Sequence, residues 1–373
     1  MSLIALLFWL FVAIPFYAYV GYPIVLSLMC AVFKRPVRKQ KFEPFITLLI
    51  PAYNEAEHIA GKIRDSLELE YPPEKLEILV ACDGSRDDTP SIAQAMADGQ
   101  RVRVLNFPKN RGKILTLNDG VRESRGEVVV FSDATALLYP DSLRHLLSNF
   151  ADPEVGAASG RYTVVRADEV GIGKSEDFYW KYETFLKVHE SQLDSMLGAH
   201  GHLHAIRRDL YPYPPAGTIN DDYIIPVSVL SKGFRAVYEP DAVVYEDARE
   251  MTGFGRRVRI MAGNVQQLRE IKGLLRPFRF LPLFFFLSHK AIRLLVPFAM
   301  VAALIANGFL ISSPVYLALF WAQAVFYLFA LAGTLFLLRP KTLMLPYYFC
   351  MINAAVFFGV YHAITSRRGM AWK

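Results

Sequence analysis

The sequence lacks the features of a disulfide-stabilised secreted protein. Its three cysteines, Cys30, Cys82 and Cys350, are far apart and show neither a pairing pattern nor the spacing of a metal site. They imply no disulfide framework and are compatible with a reducing compartment. The chain also lacks internal repeats and low-complexity tracts, which argues against a repeat architecture and against a disordered chain.

Charge is missing from residues 3–33, which are almost wholly apolar. At about 20 residues per crossing, this run is long enough to span a membrane once. Its prolines, Pro15 and Pro23, are tolerated in membrane helices. A signal peptide is the competing interpretation, but the run is too long for one and has no basic start. Hydrophobic residues make up 53% of the chain and the mean hydropathy is +0.24, so further membrane segments are expected.

The basic residues cluster beside the apolar runs. The net charge is +6, and lysines and arginines are concentrated in residues 34–41, directly after the first run. Such a cluster marks the cytoplasmic side of a membrane and attracts anionic lipid headgroups. We therefore expect the N-terminus outside, the following domain in the cytoplasm, and membrane lipids among the partners. No recognised nucleic-acid-binding motif is present, so no nucleic-acid partner is expected.

From about residue 45 to 245, short apolar runs alternate with amphipathic stretches. Residues 128–131 form a largely β-branched run just before an acidic residue, which is typical of a strand buried on both faces. The alternation predicts an α/β fold with a doubly wound sheet. The predicted strands are residues 45–50, 76–81, 102–105 and 128–131, and the predicted helices are residues 55–69, 89–97 and 113–124.

A second apolar region begins near residue 276. Residues 276–287 are aromatic and interrupted by prolines, as in an interfacial segment, whereas residues 291–311 and 315–338 are long enough to cross. Whether residues 343–364 cross the membrane is undecided at this point. A further crossing would put the basic C-terminus outside, against the positive-inside trend. The expected organisation is a membrane helix (1–33), a basic linker (34–43), the α/β domain (44–267), an interfacial segment (268–290) and a C-terminal membrane region (291–366).

Polar residues interrupt the α/β pattern where predicted strands end, and a parallel sheet brings such ends to one edge. Carboxylates there can bind ribose, base or metal, and glycine followed by lysine at a helix start can meet a phosphate. Each group alone has an ordinary explanation: a turn for Asp83, a surface charge for Lys113, a helix cap for Asp133. Together they predict a nucleotide-diphosphate pocket. The groups are residues 51–55, 82–85, 111–113 and 132–135.

These stretches resemble the family 2 glycosyltransferases, whose nucleotide-binding half has the GT-A fold. There the Pro-Ala-Tyr-Asn-Glu and Asp-Gly-Ser stretches hold the uridine, and an Asp-x-Asp pair holds the diphosphate and a divalent metal. The resemblance implies Mg2+ or Mn2+ at Asp133, with Thr135 where the second Asp is expected; Mg2+ needs only one or two carboxylates beside phosphates and water. The donor contacts expected from the pocket and the resemblance are Pro51, Ala52, Tyr53, Glu55, Asp83, Lys113, Ser132, Asp133, Arg256 and Arg259.

A histidine-containing stretch, residues 198–208, resembles the acceptor-side segment of the family and ends in Arg-Arg. Small residues there let the backbone approach a sugar closely, and the resemblance assigns Gly201 and His202 to the acceptor. The three alternating histidines of this stretch also allow a metal site, although side chains lining a sugar cleft are the favoured interpretation.

An acidic pair follows at Asp221 and Asp222, in a stretch that resembles the Glu-Asp or Asp-Asp motif of the family. There the second acid is the general base of an inverting transfer, which takes the proton of the acceptor hydroxyl. The resemblance makes Asp222 the catalytic base and Asp221 an acceptor ligand. A helix N-cap is the alternative role of the pair.

Residues 256–263 lie where processive members carry Gln-x-x-Arg-Trp. Arg259 matches the diphosphate-binding arginine, and Arg256 replaces the glutamine. Ile260 replaces the tryptophan that stacks on the acceptor, so the resemblance assigns Ile260 to the acceptor. That replacement weighs against processive synthesis, and a lipid-facing basic helix is the alternative interpretation of the arginines. The polar residues that begin the membrane region either line its cytoplasmic entrance or reach lipid headgroups: His289, Lys290 and Arg293.

The resemblance therefore implies an inverting glycosyltransferase, and the apolar and basic segments predict a multi-pass protein of the inner (plasma) membrane with a cytoplasmic catalytic domain. The expected donor is a nucleotide sugar, in first place a UDP-sugar of glucose or N-acetylglucosamine by family likeness. The expected acceptor is a growing polysaccharide, with polysaccharide export subunits as candidate partners. Transfer of a single sugar to a polyprenyl-linked or other lipid acceptor is the alternative, and an inactive membrane scaffold is a rival from another class.

Overall fold

The computed structural model describes residues 2–165, 172–247, 254–268, 271–275, 279–336 and 341–365. Within these residues, eight strands form a single sheet, with helices on both of its faces and long apolar helices toward both ends of the chain. The strands are β1 (Ile46–Ala52), β2 (Leu76–Asp83), β3 (Val102–Phe107), β4 (Val128–Phe131), β5 (Leu137–Leu138), β6 (Val155–Val165), β7 (His204–Arg207) and β8 (Arg235–Asp247).

The sheet is mixed, in the order β3-β2-β1-β4-β7-β6-β8-β5. The first four strands are parallel, and β1 lies at the centre of this group with Ile46 opposite both Leu76 and Val128. β7 is antiparallel to β4 and to β6, whereas β6 and β8 are parallel. The predicted α/β fold is confirmed, and each of the four strands predicted from the sequence is present within a few residues.

Alternating side chains of the buried strands build two hydrophobic cores, one on each face of the sheet. Val128 and Val130 of β4 enter one core, whereas Val129 and Phe131 enter the other. The strand is therefore buried on both faces, as its sequence predicts. The second core also contains Tyr22 and other residues of the apolar helices, so these helices pack directly on the α/β domain.

The described helices fall into two groups, those of the α/β domain and those near the two ends of the chain. The α/β domain contains α3 (Ile59–Leu67), α4 (Thr89–Ala95), α5 (Lys113–Glu123), α6 (Ser142–Ser148), α7 (Ile172–Leu193), α8 (Asp221–Ser231) and α9 (Phe254–Gln267). The chain ends contribute α1 (Leu3–Phe16), α2 (Tyr22–Val32), α10 (Ile271–Leu275), α11 (Phe280–Phe285), α12 (Ile292–Gly308), α13 (Pro314–Phe336) and α14 (Lys341–Thr365).

Four helical stretches are long and apolar enough to cross a membrane: Leu3–Val32, Phe280–Gly308, Pro314–Gly333 and Leu345–Thr365. The protein is thus a membrane protein by its helices, and the segment left open by the sequence, residues 343–364, qualifies by length and composition. The expected boundary after residue 290 falls inside a helix, because the π-helical segment Phe286–Ala291 joins α11 to α12 without a break. The basic residues 367, 368 and 373 lie outside the described residues.

Hydrogen bonds tie the N-terminal helices to the α/β domain. The Tyr22 hydroxyl donates to Glu190 Oε1 of α7 at 2.8 Å. The Tyr182 hydroxyl, also on α7, donates to the Tyr19 carbonyl at 3.2 Å, and the backbone N–H of Arg35 donates to a carbonyl of α7 at 2.7 Å. Helix α7 therefore connects the membrane helices with the sheet.

Candidate active site

The carboxyl ends of the parallel strands create one polar edge. Asp83, the last residue of β2, is fully buried, and its carboxylate accepts the backbone N–H groups of Arg111 at 3.0 Å and Gly112 at 2.8 Å. These two bonds fix the start of α5, which begins at Lys113. Asp83 thus positions the lysine that the sequence assigns to a phosphate.

Lys113 connects two acidic parts of the site that are far apart in sequence. Its Nζ lies 2.9 Å from Asp133 Oδ1 and 3.3 Å from Asp221 Oδ2. Burial alone would raise the pKa of Asp133, but the charges of Lys113 and His202 hold that pKa at about 2. Asp133 is therefore ionised throughout the physiological pH range.

The loop that carries Asp133 is held from behind by a buried lysine. Lys62 of α3 donates to Ser132 Oγ at 2.7 Å and to the Ala136 carbonyl, and Ser132 Oγ donates to the His202 carbonyl at 3.0 Å. Burial lowers the pKa of Lys62 to about 7. The sequence analysis missed Lys62, because a lysine inside an amphipathic helix is usually exposed.

Gly201 lies between the two carboxylates to which the resemblance assigns chemistry. A Cβ placed on Gly201 would be 3.9 Å from Asp133 Oδ2 and 3.9 Å from Asp222 Oδ2. The backbone N–H of Ala199 donates to the Asp222 carbonyl at 2.7 Å. The glycine stretch and the first turn of α8 are therefore held together, with Asp133 and Asp222 on either side of Gly201.

Asp221 and Asp222 form the first turn of α8, whose N-cap is Asn220. The alternative role of the pair as N-cap does not apply to either acid, although a carboxylate in the first helical turn is stabilised by the backbone dipoles. Burial and the neighbouring charge of Asp221 raise the pKa of Asp222, against the lowering effect of Lys187. A carboxylate with a raised pKa is a better proton acceptor.

Two histidines of the glycine stretch stack on aromatic rings. His202 stacks on Tyr162 with ring centroids 4.4 Å apart, and His204 stacks on Phe131 at 4.7 Å. Burial lowers the pKa of His204 to about 4, so this ring is neutral. Among the residues that the structure describes, no group of three His, Cys, Asp or Glu side chains forms a metal site.

Helix α9 closes the site through Asn220. The Asn220 Nδ2 donates to the Ile260 carbonyl at 3.3 Å and to Asn264 Oδ1 at 3.0 Å. A Cβ on Gly263 would come within 2.4 Å of Asn220 Oδ1, so only glycine permits this approach. The close packing brings Arg259 to the acidic residues: burial lowers its pKa, and the charge of Asp221 acts in the opposite direction.

These elements surround a cavity of about 1480 Å³. Four predicted residues do not line it: Ala52, Asp83 and Ser132 are buried, and Tyr53 is partly exposed. The predicted residues that line it are Pro51, Glu55, Lys113, Asp133, Gly201, His202, Asp221, Asp222, Arg256, Arg259 and Ile260.

The cavity continues beyond the α/β domain into the apolar helices. Tyr19 of the N-terminal stretch, Phe326 of α13 and Tyr348 and Asn353 of α14 also line it. Helix α14 packs closely on α9, where a Cβ on Gly359 would lie 2.6 Å from Met261 Cβ. One continuous space therefore joins the acidic residues to the membrane helices.

The sequence analysis missed the wall contributed by α7. Tyr179, Glu183 and Lys187 line the cavity at a spacing of four residues, which places them on one face of the helix. That four-residue spacing is visible in the sequence. Polar residues on one helical face beside an apolar region indicate a partly buried polar surface.

The oxygen donors at Asp133 suit a hard divalent cation. Its carboxylate is ionised, and Thr135 lines the cavity beside it. Mg2+ and Mn2+ bind through few carboxylates when phosphate oxygens and water complete the coordination. The residues present therefore fit a divalent cation that is held together with a diphosphate.

Comparisons with known proteins find similar sequences and a similar fold. Residues 47–212 match the family described as glycosyl transferase family 2. Poly-beta-1,6-N-acetyl-D-glucosamine synthase of Staphylococcus aureus (strain COL) is 26% identical over 258 residues, 67% of this chain and 62% of the relative. The synthase of the same name from Staphylococcus epidermidis is 31% identical over 116 residues, 31% of this chain and 28% of the relative. The chain thus matches about three fifths of the length of the first relative.

A solved structure is similar over nearly the whole chain. The mannosyltransferase PcManGT from Pyrobaculum calidifontis, in complex with GDP-Man and Mn2+, superposes with a TM-score of 0.71 at 25% sequence identity. The similarity covers 97% of this chain and 100% of that one, so it includes the membrane helices as well as the sheet. Residues 47–212 therefore form a glycosyl transferase family 2 domain, on a sheet of GT-A type.

Proposed function

We propose that the protein transfers a sugar, with inversion, from a nucleotide-sugar donor to an acceptor held at the cytoplasmic face of a membrane. The observation that carries this proposal is the single cavity in which Asp133, Asp222 and Arg259 meet and which continues between the apolar helices. The donor, the acceptor and the membrane can therefore all reach the same cavity. The basic cluster at residues 34–41 supports the cytoplasmic orientation in an inner (plasma) membrane.

In the proposed reaction Asp222 is the general base. Its carboxylate accepts the proton of the acceptor hydroxyl while that oxygen forms a bond to the anomeric carbon. The bond between the anomeric carbon and the diphosphate oxygen breaks, and the diphosphate leaves with the electron pair. Because attack and departure occur on opposite faces of the sugar, the configuration inverts. The raised pKa of Asp222 supports this role.

The diphosphate is assigned to the cations that line the cavity near Asp133 and Asp221. Lys113 and Arg259 would neutralise its charge, with Arg256 beside them and Glu55 and Pro51 at the nucleotide. Asp133 would hold Mg2+ or Mn2+, which adds positive charge at the departing diphosphate. The Mn2+ in the similar mannosyltransferase structure supports a divalent cation.

Two donors remain as candidates. The resemblance of the uridine-binding stretches and the S. aureus relatives support a UDP-sugar such as UDP-N-acetylglucosamine. The structural similarity over 97% of the chain supports GDP-mannose, because that neighbour was solved with GDP-Man. A direct comparison of both donors discriminates between them.

Two acceptors are considered as well. The polysaccharide synthases among the relatives support a growing polysaccharide at Gly201, His202 and Asp221. A lipid-linked acceptor is the second candidate. It is favoured by the extension of the cavity to residues of α13 and α14, and by Ile260 in the place of the stacking tryptophan of processive members.

The test is product analysis with the purified full-length protein in lipid nanodiscs. Labelled UDP-sugars and GDP-mannose are supplied with Mg2+ or Mn2+ and a lipid extract. A ladder of products supports polymer synthesis, and one added sugar on a lipid supports the second acceptor. Absence of transfer from every donor, under conditions in which the protein is folded, would refute the proposed function.

A further inference from the structure

Trp180 is an aromatic residue of the cavity that the proposed reaction leaves without a role. It belongs to α7, lines the cavity and is only partly buried. In the part of the chain that the structure describes, its indole Nε1 donates no hydrogen bond. A buried tryptophan usually finds a partner for this group. The indole N–H is therefore available to a ligand in the cavity.

Two neighbouring rings fix the orientation of the Trp180 indole. The Tyr162 ring of β6 lies 4.9 Å away between centroids at an angle of 61°, and the His200 ring lies 5.3 Å away at 67°. Both contacts are edge-to-face, which the charge distribution of aromatic rings favours. The His200 ring is itself held by Tyr238, whose hydroxyl lies 3.2 Å from His200 Nε2. Because the indole is held in advance, a ligand would not have to order it.

This aromatic group lies beside the residues that would carry out the transfer. His200 directly precedes Gly201 in the chain. A Cβ on Gly201 would lie 3.9 Å from Asp133 Oδ2 and 3.9 Å from Asp222 Oδ2. A single ring contact therefore joins Trp180 to the glycine stretch to which the resemblance assigns the acceptor.

His202, which the resemblance also assigns to the acceptor, belongs to the same aromatic group. Its ring stacks on Tyr162 with the centroids 4.4 Å apart, so Tyr162 contacts both His202 and Trp180. Tyr162 is buried, whereas His202 and Trp180 line the cavity. The two cavity residues are therefore held by one common ring.

Helix α7 also connects the aromatic group with the membrane helices. Glu183, three residues after Trp180, forms an ion pair with Arg293 of the span Phe280–Gly308. Three residues are less than one helical turn. Trp180 therefore lies within one turn of a contact with the membrane helices, on the helix that lines the cavity.

An uncharged aromatic face suits a sugar ring. The C–H groups on the face of a pyranose are weakly positive, and the face of an aromatic ring is negative. Sugar hydroxyls can in addition accept the indole N–H. Burial lowers the pKa of His200 well below its usual range, so the ring beside Trp180 is neutral and does not compete as a cation for the indole face. Ile260 provides no aromatic face of its own.

We propose that the Trp180 indole is the surface on which the terminal pyranose of the acceptor stacks. This inference rests on the proposed function and deepens it, because the acceptor then already carries at least one sugar. That sugar either ends a polysaccharide or is linked to a lipid, and a polyprenyl phosphate without a sugar would not use the contact. Trp180 is thus a specificity-determining residue for acceptors that end in a pyranose ring.

The test measures saccharide binding to the full-length protein in nanodiscs, with Mn2+ and saturating UDP or GDP. The probes are a β-1,6-linked N-acetylglucosamine trisaccharide and a mannotriose, each free and attached to polyprenyl diphosphate. We expect Trp180→Ala to weaken binding about three- to tenfold, as for the loss of one aromatic contact, and to leave nucleotide binding unchanged. Trp180→Phe should retain most of the affinity. Trp321→Ala, exposed on α13, is the matched control and should bind as the wild type does.

Tryptophan fluorescence gives a readout that a purely structural role would not change. The chain has only four tryptophans, Trp9, Trp180, Trp321 and Trp372. Stacking of a saccharide on Trp180 should change the emission of the wild type. In Trp180→Phe the saccharide should still bind, but this change in emission should be lost. The phenylalanine variant therefore tests the contact even where the alanine variant does not fold.

The two forms of the probe distinguish the sources of the acceptor sugar. Binding of a free trisaccharide supports the end of a polysaccharide, and binding of the lipid-attached form alone supports a lipid-linked sugar. In both cases Trp180→Ala must weaken the binding.

Four outcomes would overturn the inference. The first is that the wild type binds neither saccharide in either form. The second is equal saccharide binding by wild type and Trp180→Ala. The third is an equal loss of saccharide and nucleotide binding in that variant, which would show a structural role only. The fourth is the same change in emission in wild type and Trp180→Phe. The proposed function fails on a different observation, the absence of sugar transfer by the wild type, so the two failures are distinguishable.

Discussion

Lys113 Nζ lies 2.9 Å from Asp133 Oδ1, which joins the cation assigned to the donor phosphate to the carboxylate assigned to the metal. In this ion pair each charge neutralises the other. A donor that arrives with a divalent cation offers both groups a new partner, phosphate for the lysine and metal for the aspartate. The ion pair therefore keeps both side chains in place before the donor binds.

Replacement of Lys113 by methionine is expected to weaken donor binding. The variant loses a charge-assisted contact to phosphate, so the donor KM should rise about tenfold or more. Initial-rate kinetics with varied donor and fixed acceptor provide the measurement. Lys109→Met, an exposed lysine of the preceding loop, is the matched control and should leave the KM unchanged. An unchanged KM in Lys113→Met would contradict the phosphate role.

Replacement of Asp222 by asparagine is expected to remove the base. The kcat should fall by a factor of about 10² to 10⁴, the usual contribution of general base catalysis, while donor binding persists. In the wild type the rate should fall on acidification. Because the pKa of Asp222 is raised, this fall should begin at a higher pH than for an ordinary aspartate. Activity of Asp222→Asn at the wild-type rate would exclude this residue as the base.

The same substitution is expected to increase stability at neutral pH. The pKa of Asp222 is raised in the folded protein, so its stabilising contribution is complete below the unfolded pKa of about 3.9 and is lost as the pH rises through the folded pKa. Asparagine does not ionise, so Asp222→Asn does not lose this stability as the pH rises. We expect Asp222→Asn to have a higher Tm than the wild type at pH 7 and a similar Tm near pH 3.5, measured by thermal unfolding in detergent. A lower Tm at neutral pH would contradict the burial of an ionised Asp222.

Replacement of Gly263 by alanine tests whether the close packing of α9 against Asn220 positions Arg259. In Gly263→Ala the new Cβ would lie 2.4 Å from Asn220 Oδ1, so the helix must move. We expect a loss of about 1–3 kcal/mol of stability together with weaker donor binding. Gly255→Ala lies on the same helix with no atom within 4 Å of its Cβ, and should be neutral or slightly stabilising. Equal behaviour of the two variants would show that the close approach is unimportant.

Removal of divalent cations with EDTA is expected to abolish transfer, and Mg2+ or Mn2+ should restore it. Asp133→Asn should not be restored by either cation at ordinary concentrations. Thr135→Asp introduces a second carboxylate and should lower the Mn2+ concentration needed for half-maximal activity. Full activity of the wild type in EDTA would exclude a metal at Asp133.

The sequence predicted the parallel half of the sheet better than the antiparallel half. Each strand of the parallel half is a short apolar run followed by a polar strand end, and those signals are local. The position of β7 between β4 and β6 depends on pairing between residues far apart in sequence, such as Phe131 with His204. Such pairing leaves no local pattern, so it required the three-dimensional structure.

The site residues show the same difference between local sequence signals and contacts across the fold. Asp133 and Lys113, which the structure places in contact, were proposed from the sequence because strand ends and helix starts are visible there. Lys62 and Asn220 were missed, because their importance comes from what they contact across the fold: the Ser132 loop in one case and α9 in the other. The membrane part was predicted by length and hydropathy, but its shared cavity with the sheet was not, since hydropathy contains no information on contacts.

The hydrogen bond between Tyr22 and Glu190 affects how far from the membrane span a sugar can be transferred. It ties α2 to α7, and α7 lines the cavity together with Asp222, so the bond helps to hold Asp222 at one height relative to the span Leu3–Val32. A lipid-anchored acceptor would then react only when its free hydroxyl lies at that height. The number of sugars already attached to the lipid, and not their chemistry alone, would decide which acceptor is extended.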